Sequence, residues 1–96
     1  MIKLKEITGY LESLAPASYQ ESYDNSGLQV GDPSMEINGI LVTMDVTEQV
    51  VEEASNLGYN LILSHHPVIF GGLNSVTGRT APERVIRQAI RNDIAI

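Results

Sequence analysis

His65 and His66 stand side by side in Ser64-His65-His66-Pro67, and the chain has no other histidine. Imidazole is the commonest side-chain metal ligand and is neutral near pH 7. Cysteine is absent, which excludes thiolate metal sites, disulfides and cysteine nucleophiles. The histidine pair follows Leu61-Ile62-Leu63-Ser64, a short apolar run of the kind that forms a buried strand. In open α/β sheets, ligands bind outside the carboxyl ends of strands. Successive side chains on an extended backbone face opposite ways, and Pro67 pushes His66 toward extended geometry. Two such histidines are not expected to chelate one ion. They would serve two ions, or one would bind metal while the other orients a substrate. The bland alternative is an imidazole capping the strand end and another facing solvent. Ser64 is a poor nucleophile candidate, because a Ser-His pair needs the serine on an exposed turn with the base opposite it.

Three other residues could support such a site. Asp45 follows the apolar run Ile40-Leu41-Val42-Thr43-Met44. If the two runs are parallel strands, Asp45 ends near the histidines. N-capping of the following helix is a sufficient role for it without any metal. Asp24 and Asn25 lie in Tyr23-Asp24-Asn25-Ser26-Gly27, where they could be outer partners of a ligand or simply turn residues. Gly71-Gly72 lacks the lysine and the spacing of a phosphate loop.

The elements that would position these residues follow from periodicity. Leu4, Ile7, Leu11 and Leu14 mark one face of a helix that ends before Pro16. Residues 15–27 read as a loop, 28–30 as a short strand and Asp32-Pro33-Ser34 as a turn. Residues 40–44 read as a strand buried on both faces. Asp45-x-x-Glu48 has the form of a capping box, Val46, Val50, Ala54 and Leu57 continue at helical spacing, and Gly58 suits a left-handed cap. With 61–64 this gives strand, helix, strand, long enough for a parallel crossover. Thr80-Ala81-Pro82-Glu83 is a second capping box, opening a helix over 82–91. Ile94-Ala95-Ile96 has the look of a strand beginning, with an open edge beside it. The fold class is α/β, a parallel or mixed sheet with flanking helices, incomplete at the carboxyl end.

Composition narrows the function classes. Ninety-six residues, 43% hydrophobic and 19% charged, make one small domain or part of one. No apolar run approaches the ~18–20 residues that span a bilayer, and residues 1–6 have no apolar leader segment. With the missing cysteines, this favours the cytoplasm. The net charge is −6. No lysine or arginine occurs between Glu6 and Gly78, so the clustered cations of a nucleic-acid binder are missing over most of the chain.

The ordered set Tyr23-Asp-Asn-Ser-Gly-Leu-Gln-Val-Gly31, Ile40-Leu-Val-Thr-Met-Asp-Val-Thr47, Glu53-Ala54 and Leu61-Ile-Leu-Ser-His-His-Pro-Val-Ile-Phe70 resembles the NIF-three-like family, also called the GTP cyclohydrolase 1 type 2 homologues. The resemblance covers nearly the whole chain. It implies an α/β fold with a dinuclear metal centre, of which residues 1–96 are the amino-terminal part. It makes His65 and His66 metal ligands, with the remaining ligands absent from this chain. The cofactor would be divalent ions, two per full-length chain, of Zn, Mn, Fe or Co. The implied assembly is a homo-oligomer, typically a hexameric ring, and the implied activity is that of a metal-dependent hydrolase with an unidentified small-molecule substrate. The alternative is a non-enzymatic metal-binding or protein-interaction module. Neither a membrane nor direct nucleic-acid binding enters the expectation. Tyr23 stands where the family often has Trp, a mild departure.

Overall fold

The computed structural model describes residues 2–14, 27–69 and 72–96. Asp24, Asn25, Pro16, Tyr23 and Gly71 lie outside them. The elements are β1 (Ile2–Lys3), α1 (Leu4–Leu14), β2 (Glu36–Ile37), β3 (Ile40–Thr43), α2 (Glu48–Leu57), β4 (Leu61–Ser64) and α3 (Ala81–Arg91). The α/β reading holds. β3 and β4 are parallel, with Ile40 opposite Leu61 and Thr43 opposite Ser64, and α2 makes the crossover between them. β1 and β2 form a two-residue antiparallel pair that the sequence did not announce.

The sheet is extended by backbone outside the named strands. Ala95 bridges Leu61 in parallel, donating to the Asn60 carbonyl at 2.9 Å and accepting from the Ile62 N–H at 2.8 Å. Ile96 in turn accepts from Gln29 and donates to Val30, both at 2.8 Å. Residues 28–30 therefore pair as an extended segment without becoming a regular strand. Residues 94–96 are buried and bonded on both sides, so the open edge expected beside them is not there. It is at β3, which pairs with β4 alone among the described strands.

Alternation divides the core. Ile62, Ile94 and Ile96 face Val51 and Ala54 of α2 and Val85, Ile86 and Ala89 of α3. Leu61 and Ala95 face the other way, onto Leu4 of α1 and Ile37 of β2. Buried side chains on both faces explain why 61–63 is continuously apolar. β3 departs from that expectation. Leu41 packs inward, but Ile40, Val42 and Met44 are exposed, Val42 by 70%. The α1 cluster gathers around Leu61 and does not include them.

Helix boundaries follow from local chemistry. Thr47, not Asp45, caps α2: its backbone is extended and its hydroxyl accepts from the Val50 N–H at 3.2 Å. Gly58 ends α2 at φ 76°, ψ 19°, as a left-handed cap should. Its missing Cβ would meet nothing within 4 Å. Gly58→Val is therefore expected to cost on the order of 1 kcal/mol through backbone strain alone. An unchanged urea midpoint would show that the left-handed cap does not matter.

The second capping box is present and does more than cap. Thr80 accepts from the Glu83 N–H at 3.4 Å and donates to the Glu83 carboxylate at 2.9 Å. That carboxylate also accepts from the Thr77 N–H at 2.9 Å and the Thr77 hydroxyl at 3.2 Å. Glu83 is a buried acid whose oxygens are all engaged with donors. The Thr77 N–H first, then the Thr80 hydroxyl, hold its carboxyl down at about 2. A folded value below the ordinary ~4.3 contributes stability above the unfolded value, and that contribution disappears as pH falls toward about 2. Glu83→Gln is expected to flatten the acid limb of stability between roughly pH 4.5 and 2. Wild-type and variant limbs of equal slope would show that another acid governs it.

Candidate metal centre at the carboxyl ends of the parallel strands

β3 and β4 end together, and their ladder continues past the regular strands. The His65 N–H donates to the Thr43 carbonyl at 3.1 Å, and the His66 N–H to the Met44 carbonyl at 3.0 Å. This register carries His66 to Asp45. Each strand end is also tied to itself. The Thr43 hydroxyl donates to the Asp45 carbonyl at 2.9 Å, and the Ser64 hydroxyl to the His66 carbonyl at 2.7 Å. Neither tie was foreseen. The signal for both is a hydroxyl residue two positions before a bend, where it can bond its own backbone. Ser64 is occupied structurally, in keeping with its weak standing as a nucleophile.

The histidine side chains do not point to opposite faces. Their ring centroids are 4.9 Å apart and the rings meet edge to face at 67°. The strand stops at Ser64, and residues 65 and 66 lie in a bend, so the alternation of an extended chain no longer applies. Both rings are exposed, and they lie against each other just past the strand ends. The arrangement suits two neighbouring ligands better than two isolated ones.

Asp45 is freed for this site because Thr47 does the capping. Its Oδ1 lies 2.7 Å from His66 Nδ1. A carboxylate can only accept, so the two make a hydrogen bond in the tautomer that carries its hydrogen on Nδ1. In that tautomer the lone pair is on Nε2. Metal-binding histidines usually show this arrangement, with the far ring nitrogen donating to a carboxylate or carbonyl. Asp45 is 68% exposed and His66 47% exposed.

A groove of about 360 Å³ adjoins the pair. Asp45, Thr47 and Glu48 at the start of α2 line one wall. Pro67 and Val68 after the histidines, and Ala81 and Pro82 at the start of α3, line the others. The two helices thus begin beside the strand ends, as the sheet topology requires.

The donor chemistry fits part of a divalent first-row metal site. Imidazole together with carboxylate suits Zn, Mn, Fe or Co, and one of the two imidazoles lies against a carboxylate. They do not make a closed cage. Among the described residues, no three of His, Asp and Glu are grouped to hold an ion. Any ion held by His65 and His66 would keep positions for water or for groups beyond those described.

Comparison with known proteins converges on one family. The family model described as Duf34/NIF3 (NGG1p interacting factor 3) matches residues 2–96. A GTP cyclohydrolase 1 type 2 homolog of Clostridium perfringens is 42% identical over 93 residues, covering 97% of this chain and 36% of that protein. A protein of the same name from Campylobacter jejuni is 39% identical over 95 residues, covering 99% of this chain and 39% of that protein. The crystal structure of Staphylococcus aureus protein SA1388 superposes with a TM-score of 0.92 at 40% identity, covering 98% of this chain and 27% of that one. Reduced HcgD from Methanocaldococcus jannaschii superposes with a TM-score of 0.86 at 30% identity, covering 98% of this chain and 38% of that one. The chain spans well under half the length of each of these relatives.

Proposed function

The chain belongs to the Duf34/NIF3 family, and from that premise we propose that His65 and His66 hold divalent metal in a centre that serves a hydrolase when the protein has its relatives' full length. The observation that carries the reading is the His66–Asp45 pair at 2.7 Å, beside the edge-to-face His65 ring, at the carboxyl ends of parallel strands. A carboxylate that orients an exposed imidazole is a feature of metal sites. The name shared by the Clostridium and Campylobacter relatives, GTP cyclohydrolase 1 type 2 homolog, supports a hydrolytic class of reaction.

The metals that fit are Zn, Mn, Fe or Co, two per full-length chain. When bound, such a pair supplies a water of lowered pKa and an electrophilic clamp on a polarised oxygen. This chain's own share is narrower. His65 and His66 present nitrogens from adjacent rings at the strand ends, Asp45 orients His66, and the adjoining groove receives the group to be attacked. A cytoplasmic location and a ring-shaped homo-oligomer complete the proposal.

The test is reconstitution of the chain, and of a form extended to the relatives' length, with Zn, Mn and Fe in turn. Metal content is read by mass spectrometry, and turnover of GTP and a phosphoester panel is followed on the longer form. Metal in the extended form together with turnover supports the proposal. Metal without turnover across the panel favours a metal-handling or interaction module. No metal in either form overturns the metal-centre reading.

A further inference from the structure

The placement of Asp45 has a consequence that a ligand assignment for His66 does not contain. A free neutral imidazole carries its hydrogen on either nitrogen, and the hydrogen bond made by one nitrogen decides which is left for a metal. Here the Asp45 carboxylate sits 2.7 Å from Nδ1. That distance is at the short end for a charge-assisted N–H···O bond. The geometry is imposed from both strands. The His66 backbone is held to Met44 at 3.0 Å, and the Asp45 carbonyl is held by the Thr43 hydroxyl at 2.9 Å. The Ser64 hydroxyl fixes the His66 carbonyl at 2.7 Å. The His65 ring lies against the His66 ring at 4.9 Å, which limits how far the latter can turn. Asp45 is spared for this task because Thr47 caps α2.

We propose that Asp45 is a positioning residue for His66: it keeps the hydrogen on Nδ1 and leaves Nε2 as the nitrogen offered to a divalent cation. The tautomer part of this stands on the geometry alone. Its use toward a metal rests on the reading of His66 as a ligand.

The experiment reads the two parts separately. Long-range proton–nitrogen correlation spectra of the ¹⁵N-labelled, metal-free chain at about pH 8, where imidazoles are generally neutral, report which ring nitrogen is protonated. In the wild type His66 is expected to be protonated on Nδ1. In Asp45→Ala the proton is expected to shift largely to Nε2. Asp45→Asn is expected to lose the strict preference for Nδ1, because its amide can accept from Nδ1–H through oxygen or donate to a bare Nδ1 through nitrogen. A circular dichroism spectrum confirms that the variants are folded, as an exposed residue that caps nothing leads one to expect. His66 protonated on Nε2 in the wild type, or a tautomer unchanged in Asp45→Ala, overturns the proposal.

Zinc titration of the form extended to the relatives' length supplies the second readout. Asp45→Ala is expected to bind zinc ~10–100-fold more weakly, the usual loss for an outer partner of a ligand. Equal affinity in Asp45→Ala and wild type overturns the positioning role. Failure of the wild type itself to take up zinc overturns the ligand reading instead, and the spectra still decide the tautomer.

Discussion

Gly31→Val is expected to destabilise the fold by about 3 kcal/mol or more, the sum of a backbone term and a packing term of ~1–3 kcal/mol each. Gly31 has φ 134°, a conformation that residues with a side chain rarely adopt. A Cβ built there would lie 2.7 Å from the Ala95 Cβ, 3.2 Å from Leu4 Cδ2 and 3.3 Å from the Ala95 Cα. Ala95 and Leu4 are both fully buried, and Ala95 is held by β4, so neither can move aside cheaply. The next residue back, Val30, bonds Ile96, so a shift at Gly31 also pulls on that pairing. Small domains have only ~5–15 kcal/mol in total, which makes this loss a large fraction. Gly58→Val is the matched comparison, since it meets the same kind of backbone strain with open space around it. Urea denaturation of both should separate contact from strain. Equal losses would mean that the 27–31 segment does not approach Ala95 so closely.

What could be read in the sequence was what local pattern controls. The apolar run 61–64 had to be buried on two faces, and Leu61 and Ile62 face opposite clusters. Gly58 and the Thr80–Glu83 box are short-range devices, and both stand where the pattern put them. What failed depended on tertiary surroundings. Ile40-Leu41-Val42 looks as apolar as β4, but among the described residues the cluster gathers around Leu61 and leaves Val42 exposed. The D-x-x-E pattern at Asp45 offered a cap, yet Thr47 is also an excellent cap and takes the position. Opposite-facing histidines follow only if the strand persists, and here it ends one residue earlier. β1 and β2, at two residues each, are below the length at which periodicity says anything. Family membership was legible from the ordered motifs, because together they span nearly the whole chain.

The double substitution His65→Ala/His66→Ala is expected to weaken metal binding by more than ~100-fold in a form of the relatives' length, beyond what losing an outer partner alone costs. On the proposed reading two ligands vanish together, and none of the described residues is grouped to replace them. Stability should move by no more than ~0.5 kcal/mol, the usual range for exposed positions. Both side chains are solvent-exposed, and apart from the exposed His66–Asp45 pair and the ring contact, the bonds at this bend are made by backbone N–H groups and by Ser64, which alanine leaves in place. The two readouts must therefore separate: metal is lost while the far-UV spectrum and the urea midpoint hold. Loss of the far-UV signal would mean that the imidazoles hold the bend, and would favour a structural role for the pair. Metal retained at wild-type affinity would place the ions elsewhere. The single variants refine the result, because rings 4.9 Å apart act as neighbours. Loss of either should therefore disturb the metal held by the other. Opposite-facing ligands of two remote ions would instead give independent, additive losses, so a zinc titration of both singles and the double decides between the two geometries.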